Sequence, residues 1–187
     1  MQTTEAQASV EEIFSLFEHY GEEEYGENLS QSEHMIQSAL LAQEEKQTEE
    51  VIIAALLHDI GHLYGHQLES QRMGDFGVVD HESLGAEYLL SKGFSHKVAT
   101  LVEGHVLAKR YLCYVNPEYL SNLSQASMET LKQQGGPMNK EEAARFRLSP
   151  YFELSIRMRH WDEEAKIPEL KIPPIESYRE MLLRHLQ

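Results

Sequence analysis

The sequence predicts an all-α fold, and three observations support it. Apolar residues recur at helical spacing along much of the chain, as at Val10, Ile13, Phe14 and Phe17. The alternation of apolar and polar residues that is typical of strands is absent. No internal repeat or low-complexity linker divides the 187 residues, a length that suits one domain with a sizeable core. We therefore expect a single all-helical domain over residues 1–187.

The helices are predicted from apolar spacing and from the turn residues between them. They are expected over residues 10–20, 30–42, 50–57, 81–90, 95–105, 124–134, 141–146, 151–161 and 177–186, the last within a C-terminal segment 175–187. The run 51–57 is apolar throughout, and periodicity alone would also allow a buried strand. Its alanines and the acidic residues of its first turn favour a buried helix. A glycine-dotted loop is expected over 61–79.

Composition and charge argue against several classes of function. The formal net charge of −15 argues against nucleic acid and anionic membrane surfaces as partners. No apolar run is long enough to span a bilayer, and residues 1–12 lack the apolar stretch of a secretory signal, so we expect a cytoplasmic protein. Cys113 is the single cysteine, which rules out an intramolecular disulfide and argues against a cysteine-based metal cage.

Histidine and aspartate residues recur at the ends or on the faces of the predicted helices. An isolated His–Asp pair also occurs by chance at ordinary helix ends, but here the pair follows an apolar helix that would bury both side chains. Buried ionisable groups need a partner, a proton or a metal, and an aspartate can bridge two metals through its two oxygens. Nitrogen and oxygen ligands without thiolate suit iron or manganese better than zinc. The predicted ligands of two metal ions are His34, His58, Asp59, His81, His105 and Asp162.

Cationic and polar residues lie close to these predicted ligands in the sequence. Lys109, Arg159 and His62 each lie about one helical turn from a ligand, so they can face the same cavity. Ser127 adds a hydroxyl group. In an acidic protein, this placement favours a pocket for an anionic substrate, although Lys109 and Arg159 would also fit surface ion pairs.

The ordered ligand set resembles that of the HD-domain superfamily over nearly the whole chain, from His34 to Asp162. Several segments are similar to its phosphonate-cleaving branch of mixed-valent diiron oxygenases: 25–27, 58–62, 103–112, 123–127, 134–138 and 157–162. The resemblance implies an HD-domain helical bundle that holds an Fe(II)/Fe(III) pair and uses dioxygen. It implies oxidative cleavage of the C–P bond of 1-hydroxy-2-(trimethylammonio)ethylphosphonate or 1-hydroxy-2-aminoethylphosphonate. The products would be phosphate and glycine betaine or glycine.

The resemblance also implies a lid over about residues 21–29, ahead of a core at 30–165. In that branch, a lid tyrosine can occupy a metal site in the resting enzyme, and a glutamate meets the cationic end of the substrate. Tyr25 and Glu27 are therefore the candidate catalytic residues, with Glu27 also binding substrate. A trimethylammonium group would favour aromatic faces, which Tyr25, Tyr64 and Phe76 could supply. The segments around Ile60 and 110–113 are slightly more similar to trimethyl-type relatives, and both substrates remain open.

A competing function follows from the superfamily itself, most of whose members are phosphohydrolases. The same ligands and cations would serve hydrolysis of a small phosphate ester or nucleotide by a metal-bound water. The segment 25–27 and the two additional histidines, His81 and His105, favour the oxygenase. A non-enzymatic metal-binding or signalling module would not need Lys109 and Arg159 beside the ligands.

Overall fold

The computed structural model describes residues 2–24 and 29–187, and its regular elements are helical, as predicted. Extended backbone in these residues pairs only at an isolated bridge between Arg72 and Val78. The helices are α1 (Gln2–Tyr20), α2 (Gln31–Glu44), α3 (Glu49–Leu56), α4 (Ile60–Gln67), α5 (His81–Ser91), α6 (His96–Val115), α7 (Pro117–Ser121), α8 (Gln125–Gln133), α9 (Lys140–Phe146), α10 (Phe152–Glu164), a 3-10 turn (Ile175–Tyr178) and α11 (Arg179–His185).

The start of α2 is fixed by a capping box. The Ser30 hydroxyl accepts the backbone N–H of Glu33, and the Glu33 carboxylate accepts the backbone N–H of Ser30. These two bonds satisfy N–H groups that a helix N-terminus otherwise leaves unpaired. They also fix the position of His34, which lies one residue further along the helix.

The predicted loop over 61–79 is wrong in its first part, because residues 60–67 form α4. Ile60 and Leu63 supply a buried apolar face at helical spacing. The glycines do not break this helix; they let it approach its neighbours. A Cβ on Gly61 would lie 1.9 Å from the carbonyl oxygen of His81, and one on Gly65 would lie 2.7 Å from the Val78 side chain.

Other helices differ from their predicted limits. The first begins at Gln2 instead of residue 10, and α6 continues to Val115 instead of ending at His105. The longer α6 carries Lys109 on the same helix as His105. The short helix α7 was not predicted; Pro117 opens it, and the Asn116 side chain accepts the first free N–H groups.

The helix α6 lies at the centre of the packing, between α5, α3 and α10. A large apolar core surrounds its first half and includes the fully buried Leu101, Ile53 and Trp161. A smaller apolar cluster packs around Ala108 in its second half. None of the described helices has the length and apolar character needed to cross a membrane.

Candidate metal centre and anion pocket

Five separate parts of the fold deliver the six predicted ligands to one place. They come from α2, from the turn between α3 and α4, from the first residue of α5, from the middle of α6 and from α10. All six residues are exposed by 8% or less. The residues brought together are His34, His58, Asp59, His81, His105 and Asp162. Their proximity is a finding, and their role as ligands stays a prediction.

The Asp59 carboxylate lies at the centre of the cluster, with each oxygen facing a different pair of histidines. Its Oδ2 atom is 3.6 Å from His34 Nε2 and 3.5 Å from His58 Nε2. Its Oδ1 atom is 3.4 Å from His81 Nε2 and 3.5 Å from His105 Nε2. This is the arrangement that a carboxylate bridging two cations requires.

The cluster therefore has two sides. The Oδ2 side consists of His34 and His58 together with Asp162, whose Oδ1 atom is 3.3 Å from His34 Nε2. The Oδ1 side consists of His81 and His105. Asp59 belongs to both sides.

The histidine hydrogen bonds on the Oδ2 side direct unprotonated nitrogens at each other. His34 Nδ1 donates to the carbonyl of Ala165 at 3.0 Å, and His58 Nδ1 donates to the carbonyl of Ala55 at 2.9 Å. In the neutral rings, Nε2 is then a lone pair, since the single proton is on Nδ1. The two Nε2 atoms are only 3.1 Å apart. Two buried acceptors at this distance repel each other unless a proton or a cation lies between them.

On the Oδ1 side, His105 makes the same kind of backbone hydrogen bond. His105 Nδ1 donates to the carbonyl of Val102 at 2.5 Å, and its Nε2 atom is 3.2 Å from His81 Nε2. Convergent imidazole lone pairs around a carboxylate, in a dry interior, are a donor set for divalent metals. The residues present therefore fit one metal ion on each side of Asp59.

The cluster sets the charge states of its members. Burial raises the pKa of Asp162, but the nearby Arg159 guanidinium outweighs it and holds that pKa well below its usual value. Burial likewise raises the pKa of Asp59, but the neighbouring histidines, His58 first, hold it well below normal. Burial lowers the pKa of His58 and lowers that of His105 to about 3. Ionised carboxylates and neutral imidazoles are the forms that bind metals.

Two of the histidines attract a proton when no metal is bound. Burial lowers the pKa of His34, but its contact with Asp162 outweighs burial, and the pKa is raised overall. Burial also lowers the pKa of His81, and the Asp59 carboxylate more than offsets it. One histidine on each side thus meets a negative environment that favours a positive charge, as a metal site must.

Arg159 forms one wall of the cavity above the cluster and is only 3% exposed. Its guanidinium pairs with the Asp162 carboxylate and, through Nη2, donates to the Ser127 hydroxyl at 3.3 Å. On its far side it donates to the Tyr119 hydroxyl at 2.9 Å and contacts the Glu163 carboxylate at 3.0 Å. Hydrogen bonds from all three of its nitrogen atoms thus hold the guanidinium in one orientation.

Lys109 lies in the same cavity wall and is 4% exposed. Its ammonium donates to the Thr130 hydroxyl at 3.0 Å. Burial and the neighbouring Arg159 charge lower its pKa to about 7. A bound anion would favour the charged form of Lys109, because an opposite charge raises the pKa of an ammonium group.

His62 also lines the cavity, and the hydrogen bond that its Nδ1 atom accepts leaves its Nε2 atom as an N–H donor. Spacing alone would admit it as a further metal ligand beside Asp59 and His81. Its Nδ1 atom, however, accepts the backbone N–H of Val78 at 2.9 Å, so the proton of the neutral ring is on Nε2. Burial holds the pKa of His62 well below its usual value, which keeps the ring neutral. The ring stacks on that of His81, with centroids 3.9 Å apart.

The cavity brings together the predicted pocket residues that the structure describes, His62, Lys109, Ser127 and Arg159. Phe76 also lines it, as expected for an aromatic face beside a trimethylammonium group. Tyr64 does not line it: its ring stacks on that of Tyr88 in another part of the molecule, with centroids 4.3 Å apart. The prediction that Tyr64 supplies an aromatic face to the substrate is therefore wrong. Tyr25 and Glu27 lie outside the described residues.

Several cavity residues were missed by the sequence reasoning. Thr130, on α8, and Gln134, just after its end, line the cavity and follow Ser127 at helical spacing, a periodicity that could have identified them. Gln31 and Lys166 also line it, and no pattern in the sequence singled them out. Glu163, which supports Arg159, lies four residues after it on α10, where a helical ion pair could have been expected.

Known proteins are similar to this chain over 90% or more of its length. The chain is 41% identical over 181 residues to the 1-hydroxy-2-(trimethylamino)ethylphosphonate dioxygenase (glycine-betaine-forming) of Leisingera caerulea, with 94% of this chain and 89% of that protein covered. It is 38% identical over 169 residues to the hydroxymethylphosphonate dioxygenase of Gimesia maris, with 90% and 84% covered. It is 39% identical over 179 residues to an uncharacterized protein of Acanthamoeba polyphaga mimivirus, with 95% and 82% covered.

The family profile described as the HD domain matches residues 32–172, which include all six predicted ligands. The resemblance inferred from the order of histidines and aspartates is confirmed by this match. The chain belongs to the HD domain family.

Proposed function

We propose that this protein is an oxygen-using oxidoreductase that cleaves the C–P bond of a 1-hydroxyphosphonate. The observation that carries the proposal is the Asp59 carboxylate between two sets of histidines, directly beside a buried wall of cationic side chains. The relatives named as phosphonate dioxygenases support the same activity. The proposed substrate is 1-hydroxy-2-(trimethylammonio)ethylphosphonate or its free-amine analogue.

The proposed cofactor is a mixed-valent pair of iron ions. His34, His58 and Asp162 would hold one ion, His81 and His105 the other, and Asp59 would bridge them. Such a pair would supply the electron exchange with dioxygen that no amino-acid side chain can provide. The facing Nε2 lone pairs and the ionised carboxylates support this assignment.

The cationic wall would hold the phosphonate. The Arg159 guanidinium and the Lys109 ammonium place two buried positive charges in the cavity, and charged hydrogen bonds to phosphonate oxygens are the stronger kind. The Ser127 hydroxyl and the Nε2 proton of His62 add neutral donors. Fixed in this way, the substrate would present C1 and its hydroxyl to the metals.

The segment 21–29 is proposed to act as the lid, with Tyr25 and Glu27 as its functional residues. Backbone bonds close the described ends of this segment: Gly21 accepts from the N–H of Ser32 at 2.8 Å, and Glu23 accepts from the N–H of Gln31 at 2.9 Å. Leu29, at the end of this segment, and Gln31 line the cavity, which supports a lid beside the proposed substrate. A Glu27 carboxylate would there face the substrate's cationic nitrogen.

The proposed reaction has a fixed atom balance. A 1-hydroxyphosphonate and one dioxygen give a carboxylate, a phosphate and a proton. The C–P bond and the C1–H bond break, C1 is oxidised and dioxygen is reduced. One oxygen atom of dioxygen ends on the carboxylate and the other on the phosphate, because each product has one oxygen more than the fragment from which it forms.

An isotope experiment tests this balance. The protein is purified anaerobically with iron, partially oxidised, and given the trimethylammonio substrate under ¹⁸O₂. We expect one labelled atom in glycine betaine and one in phosphate, with dioxygen consumed in a one-to-one ratio. Electron paramagnetic resonance of the same sample should show a coupled Fe(II)/Fe(III) signal that changes when substrate is added.

The competing phosphohydrolase predicts the opposite labels. Phosphate release that proceeds equally well without dioxygen, with its new oxygen taken from water, would overturn the oxygenase proposal. A parallel comparison of the trimethylammonio, amino and hydroxymethyl phosphonates measures what the protein requires at the substrate nitrogen.

A further inference from the structure

One of the four clustered histidines lacks an interaction that the other three make. Outside His81, each Nδ1 donates to a backbone carbonyl, at Ala165, Ala55 and Val102. His81 Nδ1 is buried and has no hydrogen-bond partner among the residues that the structure describes. If His81 binds a metal through Nε2, its single ring proton must be on this nitrogen.

The difference follows from where His81 lies in its helix. His58 and His105 use the carbonyl three residues earlier in their own helical segments, Ala55 and Val102. His81 is the first residue of α5, and the residue before it, Asp80, has a left-handed backbone with φ of 55°. No helical turn precedes His81, so this internal acceptor is not available to it.

The side chain next to the unpaired nitrogen is a carboxylate. Glu82 Oε2 is 3.5 Å from His81 Nδ1, and it too is buried without a hydrogen-bond partner in the described part of the chain. The Glu82 side chain is 13% exposed. An unpaired donor and an unpaired acceptor thus lie just beyond hydrogen-bond distance, and each costs free energy as long as it is unpaired.

We propose that Glu82 is a positioning residue that accepts the Nδ1 proton of His81 and fixes that ring as a metal ligand. This inference rests on the two-metal part of the proposed function. A carboxylate makes the imidazole a stronger donor than a backbone carbonyl does. Glu82 would therefore strengthen the Oδ1 side, where the described chain supplies fewer ligands than on the Oδ2 side.

Metal binding tests the proposal without reference to turnover. Metal-free protein is titrated anaerobically with Fe(II) alone, and bound iron is measured by equilibrium dialysis. We expect two ions in the wild type, and we expect Glu82→Ala to weaken the second by about 10- to 100-fold while the first is unchanged. Glu82→Gln should weaken it less, because its amide oxygen still accepts a hydrogen bond.

Glu87→Gln is the matched control, since Glu87 lies on an exposed face of the same helix. It should leave both ions unchanged. Thermal melts of the metal-free variants separate folding from metal binding. Equal affinities in Glu82→Ala and the wild type would overturn the proposal, and so would equal weakening of both ions together with a lower melting temperature.

The outcomes also separate this proposal from the proposed activity. A protein that binds two ions, loses affinity for one in Glu82→Ala, and yet releases no phosphate from any 1-hydroxyphosphonate supports the role of Glu82 and overturns the activity. A wild type that binds a single ion overturns the role of Glu82 together with the two-metal site.

Discussion

The two sides of the Asp59 carboxylate are built differently. Within the described residues, the Oδ2 side has a second carboxylate, Asp162, which the buried Arg159 holds in place. Among the same described residues, the Oδ1 side has no second carboxylate at the Nε2 atoms of its histidines; the Glu82 carboxylate faces His81 from the Nδ1 side, and no backbone carbonyl anchors that ring. Counting the described residues alone, a metal on the Oδ1 side would have fewer protein ligands, and so more positions open to a substrate or dioxygen.

The cationic wall spans both sides. Lys109 is one helical turn from His105 on the Oδ1 side, whereas Arg159 contacts Asp162 on the Oδ2 side. A phosphonate held between these two cations would lie across the whole cluster. We therefore expect the Oδ2 side mainly to hold its metal and the Oδ1 side mainly to receive the substrate or dioxygen. Variants can test this division.

The largest effect is expected from Asp59→Ala. Both sides lose their shared ligand, so the variant should bind neither iron tightly and its phosphonate cleavage should fall to background. Iron content after anaerobic reconstitution measures the first effect, and phosphate release measures the second. Asp75→Ala, at an exposed loop position, is the control. Two irons retained by Asp59→Ala would contradict the bridging role.

Single histidine variants separate the two sides. His81→Ala should lose the ion of the Oδ1 side and keep one iron per chain, whereas His34→Ala should weaken the ion held with Asp162. Because cleavage is proposed to need both ions, activity should be near background in each. His96→Ala, at an exposed position on α6, should retain both ions and full activity. Loss of both irons in His81→Ala would mean that the sides do not bind independently.

The sequence was sufficient to predict the residues on both sides of Asp59, but not the difference in how those residues are anchored. Ligand order, apolar spacing and charge predicted the helical fold and the residues that cluster around Asp59. The tautomer of His62 depends on a hydrogen bond from the backbone of Val78, and His81 Nδ1 faces the Glu82 carboxylate at 3.5 Å; no spacing rule encodes either contact. The difference between the sides was therefore visible only once the backbone had been placed.

The error at residues 61–79 has a similar origin. Gly61 and Gly65 suggested a loop, because glycine is unfavourable in a helix interior. In the fold, their missing side chains allow α4 to pack closely against α5 and the following loop, and that packing outweighs the low helix propensity. Such a contact joins residues distant in the chain, so local propensity does not report it.

Arg159→Gln should have the next largest effect, and it should lower both the free energy of unfolding and kcat/KM. Removing one partner of a buried ion pair costs about 3–5 kcal/mol, so the free energy of unfolding should drop. Loss of a charged hydrogen bond of about 2 kcal/mol should also lower kcat/KM roughly thirty-fold. Denaturant unfolding and steady-state assays measure the two effects.

Arg157→Gln is the matched control for charge. Arg157 lies on the same helix as Arg159 but pairs with Glu45 at the surface. Its loss should change stability by at most about 1 kcal/mol and leave kcat/KM unchanged. Equal effects of the two variants would mean that Arg159 has no special role in the cavity.

The smallest effect is expected from alanine at two helical glycines, Gly61, which packs against α5, and Gly104, which packs against α10. A Cβ on Gly61 would meet the backbone carbonyl of His81 at 1.9 Å, so α5 must move and take its ligand with it. A Cβ on Gly104 would meet the Ser155 side chain, its hydroxyl at 2.4 Å and its Cβ at 3.1 Å; the hydroxyl can rotate away, and the Cβ must give by only a few tenths of an ångström. We expect Gly61→Ala to cost about 1–3 kcal/mol of unfolding free energy and to weaken the Oδ1-side iron, while Gly104→Ala costs less and retains both irons. If Gly61→Ala instead weakened both irons equally, the ligands of the two sides would move as one unit, and their different anchoring would not matter for metal binding.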